Sequence, residues 1–326
     1  MGASAGGVET LKRVVAGLPA DLPATVCVVL HIAPGSPSAL AHILRRAGPL
    51  PCRAASDGEP LCPGEILVAP PDRHLVVDDG HARLTVGPRE NGHRPAVDVL
   101  FRSAAAARRA GVVGVILSGT RDDGTAGLAA IKASGGATVV QDPEDALYAG
   151  MPANALAHVA VDAVVPATLI AETVAAIVTG KESSAAGERG TPGRSSARDV
   201  ELISVCPECG GVLTEGNQAG TLQWECHVGH RYSPRSLVDA QGDRVEMALW
   251  TAVRMLRDRG ALLERMANHA VSRDQPRSAR RFRSQAQDAS DQAELVLDAL
   301  QRAASTTLRA VSDGEDDHPA EAEGAV

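Results

Sequence analysis

Aromatic side chains and long apolar runs are both scarce in this chain. Its 326 residues include two Trp, two Tyr and two Phe, so the core must be built mainly from aliphatic side chains. No segment has the roughly 20 uninterrupted apolar residues of a membrane span, and no basic region followed by an apolar stretch opens the chain. We therefore expect a cytoplasmic protein without membrane insertion.

Positive charge is also in deficit, with 32 Lys and Arg against 40 Asp and Glu. Nucleic acid and anionic lipid bind proteins that have a positive surface potential, so a net charge of −8 argues against broad binding to either. The six cysteines fall into two groups, three scattered through the first third of the chain and three clustered shortly before residue 230. In a reducing cytoplasm the second group is typical of metal ligands rather than disulfides.

The first 180 residues alternate short apolar runs with helical patterns. The runs TVCVVLH, EILVA, GVVGVILS and ATVVQ are apolar on both faces, as strands covered by helices on each side are. Between them, VETLKRVVAGL, PSALAHILRRA, AVDVLFRSAAAARRA and TAGLAAIKASGG have helical spacing. This order predicts an α/β fold with a doubly wound, mostly parallel sheet, whose catalytic groups lie at the carboxyl ends of the strands.

The rest of the chain differs in composition from this first domain. Leu249, Leu256 and Leu263 recur every seven residues and Pro276 marks a turn, which indicates a helical hairpin or coiled coil. We predict, in order, a catalytic domain (1–180), a flexible linker (181–200), a zinc-ribbon-like module (201–233), the helical hairpin (234–305) and a disordered acidic tail (306–326).

The motif GASAG around Ser4 fits the G-x-S-x-G nucleophile elbow, in which small neighbours allow a sharp turn that exposes the serine oxygen. The pattern alone is weak, because a solvated terminus or a phosphate-cradling glycine turn has the same composition. A helical pattern follows the serine directly, so its N-terminal amides would point at whatever Ser4 attacks.

A serine nucleophile needs a base, and the base needs a third group to orient it. His31 ends one predicted strand and Asp123 follows another, although a lone histidine is more often structural and Asp122 or Asp123 would also suit a helix cap. All three side chains converge on one edge of one predicted sheet, which favours a catalytic site. The order Ser, His, Asp differs from the Ser, acid, His order of α/β-hydrolases.

Six blocks, GASAGG, VVLHIAPG, LVAPPDRHL, RPAVDVLFRSAA, ILSGTRDDGTAGL and QDPEDALYAGMPANAL, follow one another in an order and spacing that resemble the catalytic domain of CheB-type chemotaxis protein-glutamate methylesterases. The resemblance covers about residues 1–179 and implies a parallel α/β sheet. It implies that Ser4 is the nucleophile, His31 the general base and Asp123 the residue that orients the histidine. It further implies that the backbone N–H groups of Ala5 and Thr120 stabilise the oxyanion, with no cofactor for catalysis.

The reaction implied by this resemblance is hydrolysis of glutamate γ-methyl esters on a methylated chemoreceptor-like protein, with glutamine deamidation as a side activity. The alternative is a catalytically silent signalling adaptor that keeps the esterase domain as a scaffold and binds partners through its C-terminal part. For residues 201–305 we expect a signalling-partner docking or self-association module rather than a nucleic-acid-binding one.

Two departures from the family pattern affect these expectations. Only Met1 and Gly2 precede the serine motif, where family members have an apolar strand. We therefore expect either a longer natural protein or an elbow held only by its helix, with compromised activity. No receiver domain precedes the motif, so we expect no control by phosphorylation in cis. His74 and Arg94 lie in family-like blocks and are as readily structural as functional, and Asp98 is expected to support a helix start.

The cysteine cluster has the spacing of two zinc knuckles. CPECGG and CHVGH give C-x2-C, sixteen residues, then C-x3-H, so Cys206, Cys209, Cys226 and His230 would close a tetrahedral structural zinc site. The alternative fourth ligand is His227, which would crowd the same ion beside Cys226. Reduced thiols without a metal remain the other interpretation.

Overall fold

The computed structural model describes residues 1–35, 38–180 and 204–312, and these described residues form two compact units that divide after Ala240. The predicted linker and the end of the acidic tail lie outside the described residues. Within the described part, no helix is long and apolar enough to cross a membrane.

The described residues form fourteen strands and eight α-helices. In chain order the strands are β1 (Gly2–Ala3), β2 (Val26–Leu30), β3 (Cys52–Ala54), β4 (Glu59–Pro60), β5 (Ile66–Val68), β6 (His74–Asp78), β7 (His81–Thr85), β8 (Val113–Ile116), β9 (Ala137–Gln141), β10 (Ala163–Val165), β11 (Ser204–Val205), β12 (Val212–Gln218), β13 (Thr221–Cys226) and β14 (Arg231–Tyr232). The helices are α1 (Gly7–Gly17), α2 (Leu40–Ala47), α3 (Val97–Arg108), α4 (Thr125–Ala133), α5 (Gly150–His158), α6 (Ala167–Thr179), α7 (Pro234–Ser272) and α8 (Pro276–Ser312), with one 3-10 turn at Arg109–Gly111.

The central sheet has seven parallel strands in the order β10-β9-β8-β1-β2-β5-β3. Successive strand residues point to opposite faces, so β2 sends Val28 and Leu30 into one apolar cluster and Val29 into another. Helices α1, α2 and α6 cover the first face, and α3, α4 and α5 cover the second. The predicted doubly wound, mostly parallel α/β fold is confirmed.

The strand that precedes the serine motif is short but lies at the centre of this sheet. Gly2 pairs with Val29 of β2 and Ile116 of β8, and Ala3 pairs with Leu30. A Cβ on Gly2 would come within 2.2 Å of Val97, so glycine lets helix α3 approach β1. The expectation of an elbow held only by its helix is therefore wrong, because backbone pairing to both neighbouring strands also holds it.

A three-stranded antiparallel sheet, β4-β7-β6, was not among our predictions. Its hairpin turns at Asp79 and Gly80, which have φ of 41° and 76°. Positive φ at two successive turn residues is the geometry that Asp-Gly favours between paired strands. The Asp-Gly dipeptide in HLVVDDGHARLT was therefore a readable hairpin signal.

A four-stranded antiparallel sheet, β11-β12-β13-β14, carries the cysteine cluster, and its strands together with the start of α7 complete the first unit. We call residues 204–240 the Cys/His module. Its core consists of Leu213, Tyr232 and Leu237 together with Cys206 and Cys226.

The second unit consists of the part of α7 after Ala240 and of the whole of α8. The turn between the two helices lies directly before Pro276. The buried and half-buried residues of α7 recur with alternating spacings of four and three, as in Leu249, Val253, Leu256, Gly260, Leu263, Ala267 and Ala270. Helix α8 continues to Ser312, so residues 306–312 are helical rather than disordered. No Gly or Pro occurs there, and an existing helix extends without a new nucleation cost.

We expect Leu128→Ala to lower the free energy of unfolding by about 2–5 kcal/mol, because it opens a cavity in the core between α4 and the sheet. The matched control is Leu169→Ala on α6. Leu128 is 0% exposed and Leu169 is 46% exposed. For the control we expect a change within about 0.5 kcal/mol. Urea unfolding of both variants checks this, and equal losses would contradict the assigned burial.

Candidate active site

Three adjacent strands of the central sheet deliver three polar side chains to one edge. Ser4 follows β1, His31 follows β2, and Asp123 lies between β8 and α4. The Ser4 Oγ lies 3.0 Å from His31 Nδ1, and His31 Nε2 lies 2.7 Å from Asp123 Oδ2. The three residues that we single out from the sequence thus form one hydrogen-bonded chain.

The turn that carries Ser4 is held tightly by backbone hydrogen bonds. The Ser4 N–H donates to the Ser118 carbonyl at 3.0 Å, and the Gly7 N–H donates to the Ser4 carbonyl at 2.9 Å. Gly6 has a φ of 71°, a conformation that glycine adopts without steric cost. A Cβ on Gly119 would lie 2.9 Å from the Ser4 Cβ, so glycine there leaves room for the turn.

Asp123 is an ionised acceptor inside the protein. It is 1% exposed, and its carboxylate accepts hydrogen bonds from His31, from the Val97 and Asp98 N–H groups and from the Asn91 side chain. Burial acts to raise the pKa of Asp123, but the His31 hydrogen bond, nearby imidazole charge and the Val97 N–H outweigh it, and its pKa lies below the usual range. An ionised Asp123 can only accept, so His31 carries its proton on Nε2 and presents Nδ1 to the serine.

Two residues outside the sequence predictions, both in the loop before α3, contact this hydrogen-bonded chain. The His93 ring stacks on His31 with centroids 3.6 Å apart and planes 10° apart. Burial first, and the neighbouring His31 ring second, lower the pKa of His93 to about 3, so the stacked ring is neutral. Asn91 donates to both Asp123 and Asp98 at 2.8 and 2.9 Å. The Asn-Gly in ENGHRP marks a turn but gave no sign of these contacts.

Asp98 is a second buried carboxyl beside Asp123. It is fully buried and accepts hydrogen bonds from the Gly127 N–H in the first turn of α4 and from Asn91. It therefore supports a helix start, as expected, although the helix is α4 and not its own. Burial first, and the charge of Asp123 second, raise the pKa of Asp98 to about 8.

The other polar residues named from the sequence make structural contacts. His74 Nε2 donates to the Pro88 carbonyl, and its Nδ1 accepts from the Ala96 N–H. The Arg94 guanidinium binds Asp72 at 2.7 Å and the Gly87 carbonyl at 2.8 Å. Neither side chain is part of the hydrogen-bonded chain at Ser4. Helix α4 has Gly124 as its N-cap without a side-chain cap, so neither Asp122 nor Asp123 caps it.

Two backbone N–H groups remain available beside the serine. Ala5 follows Ser4 in the turn before α1, and Thr120 lies in the loop between β8 and Asp123. Within the described residues neither N–H group donates to a protein acceptor.

The four proposed metal ligands converge in the Cys/His module. Ligand atoms of Cys206, Cys209, Cys226 and His230 all lie within 4.8 Å of one another. Two of these separations are 3.7 Å, between Cys209 and Cys226, and 3.5 Å, between Cys226 and His230. Within the described residues the cluster includes His230 and not His227, whose ring lies against Gly211.

The pKa of the Cys226 thiol also suits metal binding. Burial acts to raise it, but the backbone N–H and the ring of His230 outweigh that effect and lower the pKa to about 6. Because a thiolate is the form that binds metal, Cys226 is prepared for coordination near neutral pH.

Comparison with known proteins relates the first half of the chain to one family. A family model described as CheB methylesterase matches residues 1–174. Protein-glutamate methylesterase/protein-glutamine glutaminase 3 of Anaeromyxobacter dehalogenans is 47% identical over 175 residues, which are 53% of this chain and 51% of that protein. Protein-glutamate methylesterase/protein-glutamine glutaminase 2 of Xanthomonas oryzae pv. oryzae is 41% identical over 181 residues, 54% of this chain and 50% of that protein.

A solved structure agrees with these sequence matches. The crystal structure of the Thermotoga maritima CheB methylesterase catalytic domain matches with a TM-score of 0.52 and 34% identity, covering 54% of this chain and 96% of that one. The chain spans about half the length of the curated relatives it matches. The Cys/His module and the helical hairpin lie outside the family-model match.

We expect the raised pKa of Asp98 to make stability depend on pH. The folded pKa of about 8 exceeds the unfolded value of about 4, so the native state holds this proton more tightly. The resulting stability is complete below about pH 4 and is lost as the pH rises towards about 8. Relative to Asp98→Asn, the wild-type free energy of unfolding should fall by up to about 1.4 kcal/mol per pH unit in that window.

Urea unfolding of both proteins between pH 5 and pH 9 measures this difference. A constant offset from the amide substitution leaves the slope unaffected. Parallel stability curves for the two proteins would contradict a protonated Asp98.

Proposed function

This chain belongs to the CheB methylesterase family, and we propose from this that it is a protein-glutamate methylesterase. It hydrolyses glutamate γ-methyl esters on a methylated chemoreceptor-like protein in chemotaxis-type signalling. The observation that carries the proposal is the hydrogen-bonded chain Ser4, His31, Asp123, with distances of 3.0 and 2.7 Å. An assembled triad of this kind favours an enzyme over a silent adaptor.

The reaction follows from the orientation of the His31 ring. Nδ1 takes the proton of Ser4 as the serine oxygen bonds to the ester carbonyl carbon, and Asp123 stabilises the imidazolium that forms. The tetrahedral intermediate collapses as the proton on Nδ1 passes to the departing methoxide, which leaves as methanol. Water then repeats the cycle on the acyl-enzyme and releases the glutamate side chain. With glutamine in place of the ester, the same steps release ammonia.

The oxyanion in this proposal is held by the N–H groups of Ala5 and Thr120. Each donor of this kind contributes roughly 3 kcal/mol to transition-state stabilisation in serine hydrolases. Ala5 also lies at the start of α1, whose N-terminal partial charge favours a developing negative charge. No cofactor takes part in these steps, and the compartment that we propose is the cytoplasm.

We propose further that Cys206, Cys209, Cys226 and His230 hold a structural zinc ion. Zn–S bonds of about 2.3 Å and Zn–N bonds of about 2.0 Å place tetrahedral ligand atoms about 3.5–3.8 Å apart. The separations of 3.7 and 3.5 Å fit that geometry. Zinc would tie the two turns of the module together and leave no coordination position open for substrate.

For the helical hairpin we propose partner docking or self-association. Its exposed apolar residues, among them Val245, Trp250 and Met255, which are 51–64% exposed, support such a role.

We expect Ser4→Ala to reduce methanol release from methylated chemoreceptor fragments by about 10⁴- to 10⁶-fold, because it removes the nucleophile. Gas chromatography of released methanol measures the rate. The control is Ser56→Ala, an exposed serine in the turn before β4, which should retain the wild-type rate. Equal rates in the wild type and Ser4→Ala would refute the proposal.

We expect the purified full chain to contain about one zinc ion per molecule, and Cys209→Ser to contain little, because three ligands hold the metal less tightly than four. Elemental analysis by mass spectrometry measures the metal. The control is Cys62→Ser, an exposed cysteine outside the cluster, which should keep its zinc. Zinc contents that do not differ between the two variants would overturn the site.

A further inference from the structure

The loop of residues 89–93 contacts the triad at two points, and we call it the positioning loop. His93 stacks on His31 at 3.6 Å, and the Asn91 amide donates to Asp123 at 2.8 Å. Within the loop, Glu90 and His93 exchange backbone hydrogen bonds of 3.2 and 2.8 Å. Asn91 has a φ of 53°, a left-handed conformation that costs energy for a residue with a Cβ and needs support from its surroundings.

That support comes from the Cys/His module. The Asn91 N–H donates to the Arg231 carbonyl at 2.8 Å, and the Arg231 N–H donates to the Arg89 carbonyl at 3.4 Å. Ser233 donates twice to Asn91 Oδ1, from its N–H at 2.9 Å and its hydroxyl at 3.1 Å. Asn91 and Ser233 are 2% and 3% exposed, so water does not replace these contacts.

These bonds use the whole capacity of the Asn91 amide. Its two N–H groups donate to carboxyl oxygens of Asp98 and Asp123, and its oxygen accepts from two donors of Ser233. A flipped amide would set its NH2 group against the Ser233 N–H and its oxygen against two carboxyl groups. Ser233 therefore determines which way the amide points at Asp123.

A second contact holds the other side of the catalytic aspartate. The Ser236 hydroxyl donates to Asp122 at 2.6 Å, and both residues are buried. Arg121 forms an ion pair with Asp239 at 3.2 Å. The module thus binds the positioning loop and also the residues directly before Asp123.

We propose that the Cys/His module positions the catalytic aspartate, through a relay from Ser233 to Asn91 to Asp123, and thereby sets the efficiency of the esterase. Asn91 and Ser233 are positioning residues, since neither is among the reacting groups. The inference rests on the triad of the proposed function. Without the relay, Asp123 loses one of its four donors and the loop no longer fixes the ring stacked on His31, so the base leaves its working geometry.

The test measures the base directly as well as the reaction. We expect Asn91→Ala in the full chain to slow phosphonylation of Ser4 by a fluorophosphonate by about 10- to 100-fold, as misplaced catalytic groups do. Ser233→Ala loses one hydrogen bond and should slow it by about 3- to 10-fold. In both variants the downfield proton NMR signal of the His31–Asp123 hydrogen bond should shift or broaden.

Two further variants separate positioning from folding. Ser233→Thr keeps the hydroxyl and should restore rate and signal towards the wild type. Asn217→Ala removes an asparagine near the end of β12 in the same module, where its side chain accepts from the Gly220 N–H, and should change neither. If Asn91→Ala does not fold, the comparison of Ser233→Ala with Ser233→Thr still tests whether the Ser233 hydroxyl positions Asp123.

The inference is overturned if rate and signal are unchanged in Asn91→Ala and Ser233→Ala, or if Ser233→Ala reacts faster, which would make the module a restraint. A wild type that is phosphonylated but releases no methanol from methyl esters would refute the proposed function alone. In that case the variant series still tests the relay.

Discussion

The negative charge of Asp123, held almost fully out of water, is the interaction on which the site depends. A buried carboxylate is costly unless hydrogen-bond donors compensate it. Here His31 donates from the end of β2, and the N–H groups of Val97 and Asp98 donate from the start of α3. The Asn91 side chain donates from the loop before α3. The ionised form of Asp123 therefore depends on the positions of β2, α3 and the loop before α3. The ionised carboxylate in turn fixes the tautomer of His31.

The same charge explains the neighbouring acid. Two carboxyl groups that share the Asn91 amide in a dry site do not both ionise readily. Asp123, which has the imidazole partner, stays charged. The pKa of Asp98 is raised, so Asp98 is neutral. Asp98 then serves as a support for helix α4 through the Gly127 N–H, while Asp123 accepts from the His31 ring.

Close packing around Ser4 is a second constraint, and glycine satisfies it. Gly2 admits α3 against a central strand of two residues, and Gly119 leaves space beside Ser4. A strand this short suffices because both of its neighbours are hydrogen-bonded to it in parallel register. The Cys/His module adds two hydrogen-bond contacts near Asp123, from Ser233 to Asn91 and from Ser236 to Asp122.

The order of apolar runs and helical patterns determined the α/β fold, because strands and helices differ in the period of their buried faces. It also placed Ser4, His31 and Asp123 at one edge of the sheet, since parallel strands all end there, and the cysteine spacing indicated the ligand set. The contacts of Asn91 with Asp123, of His93 with His31, and of the Cys/His module with Asn91 became visible only in the folded structure. Those contacts join residues up to 142 positions apart. They depend on how folded segments pack, which no local pattern records.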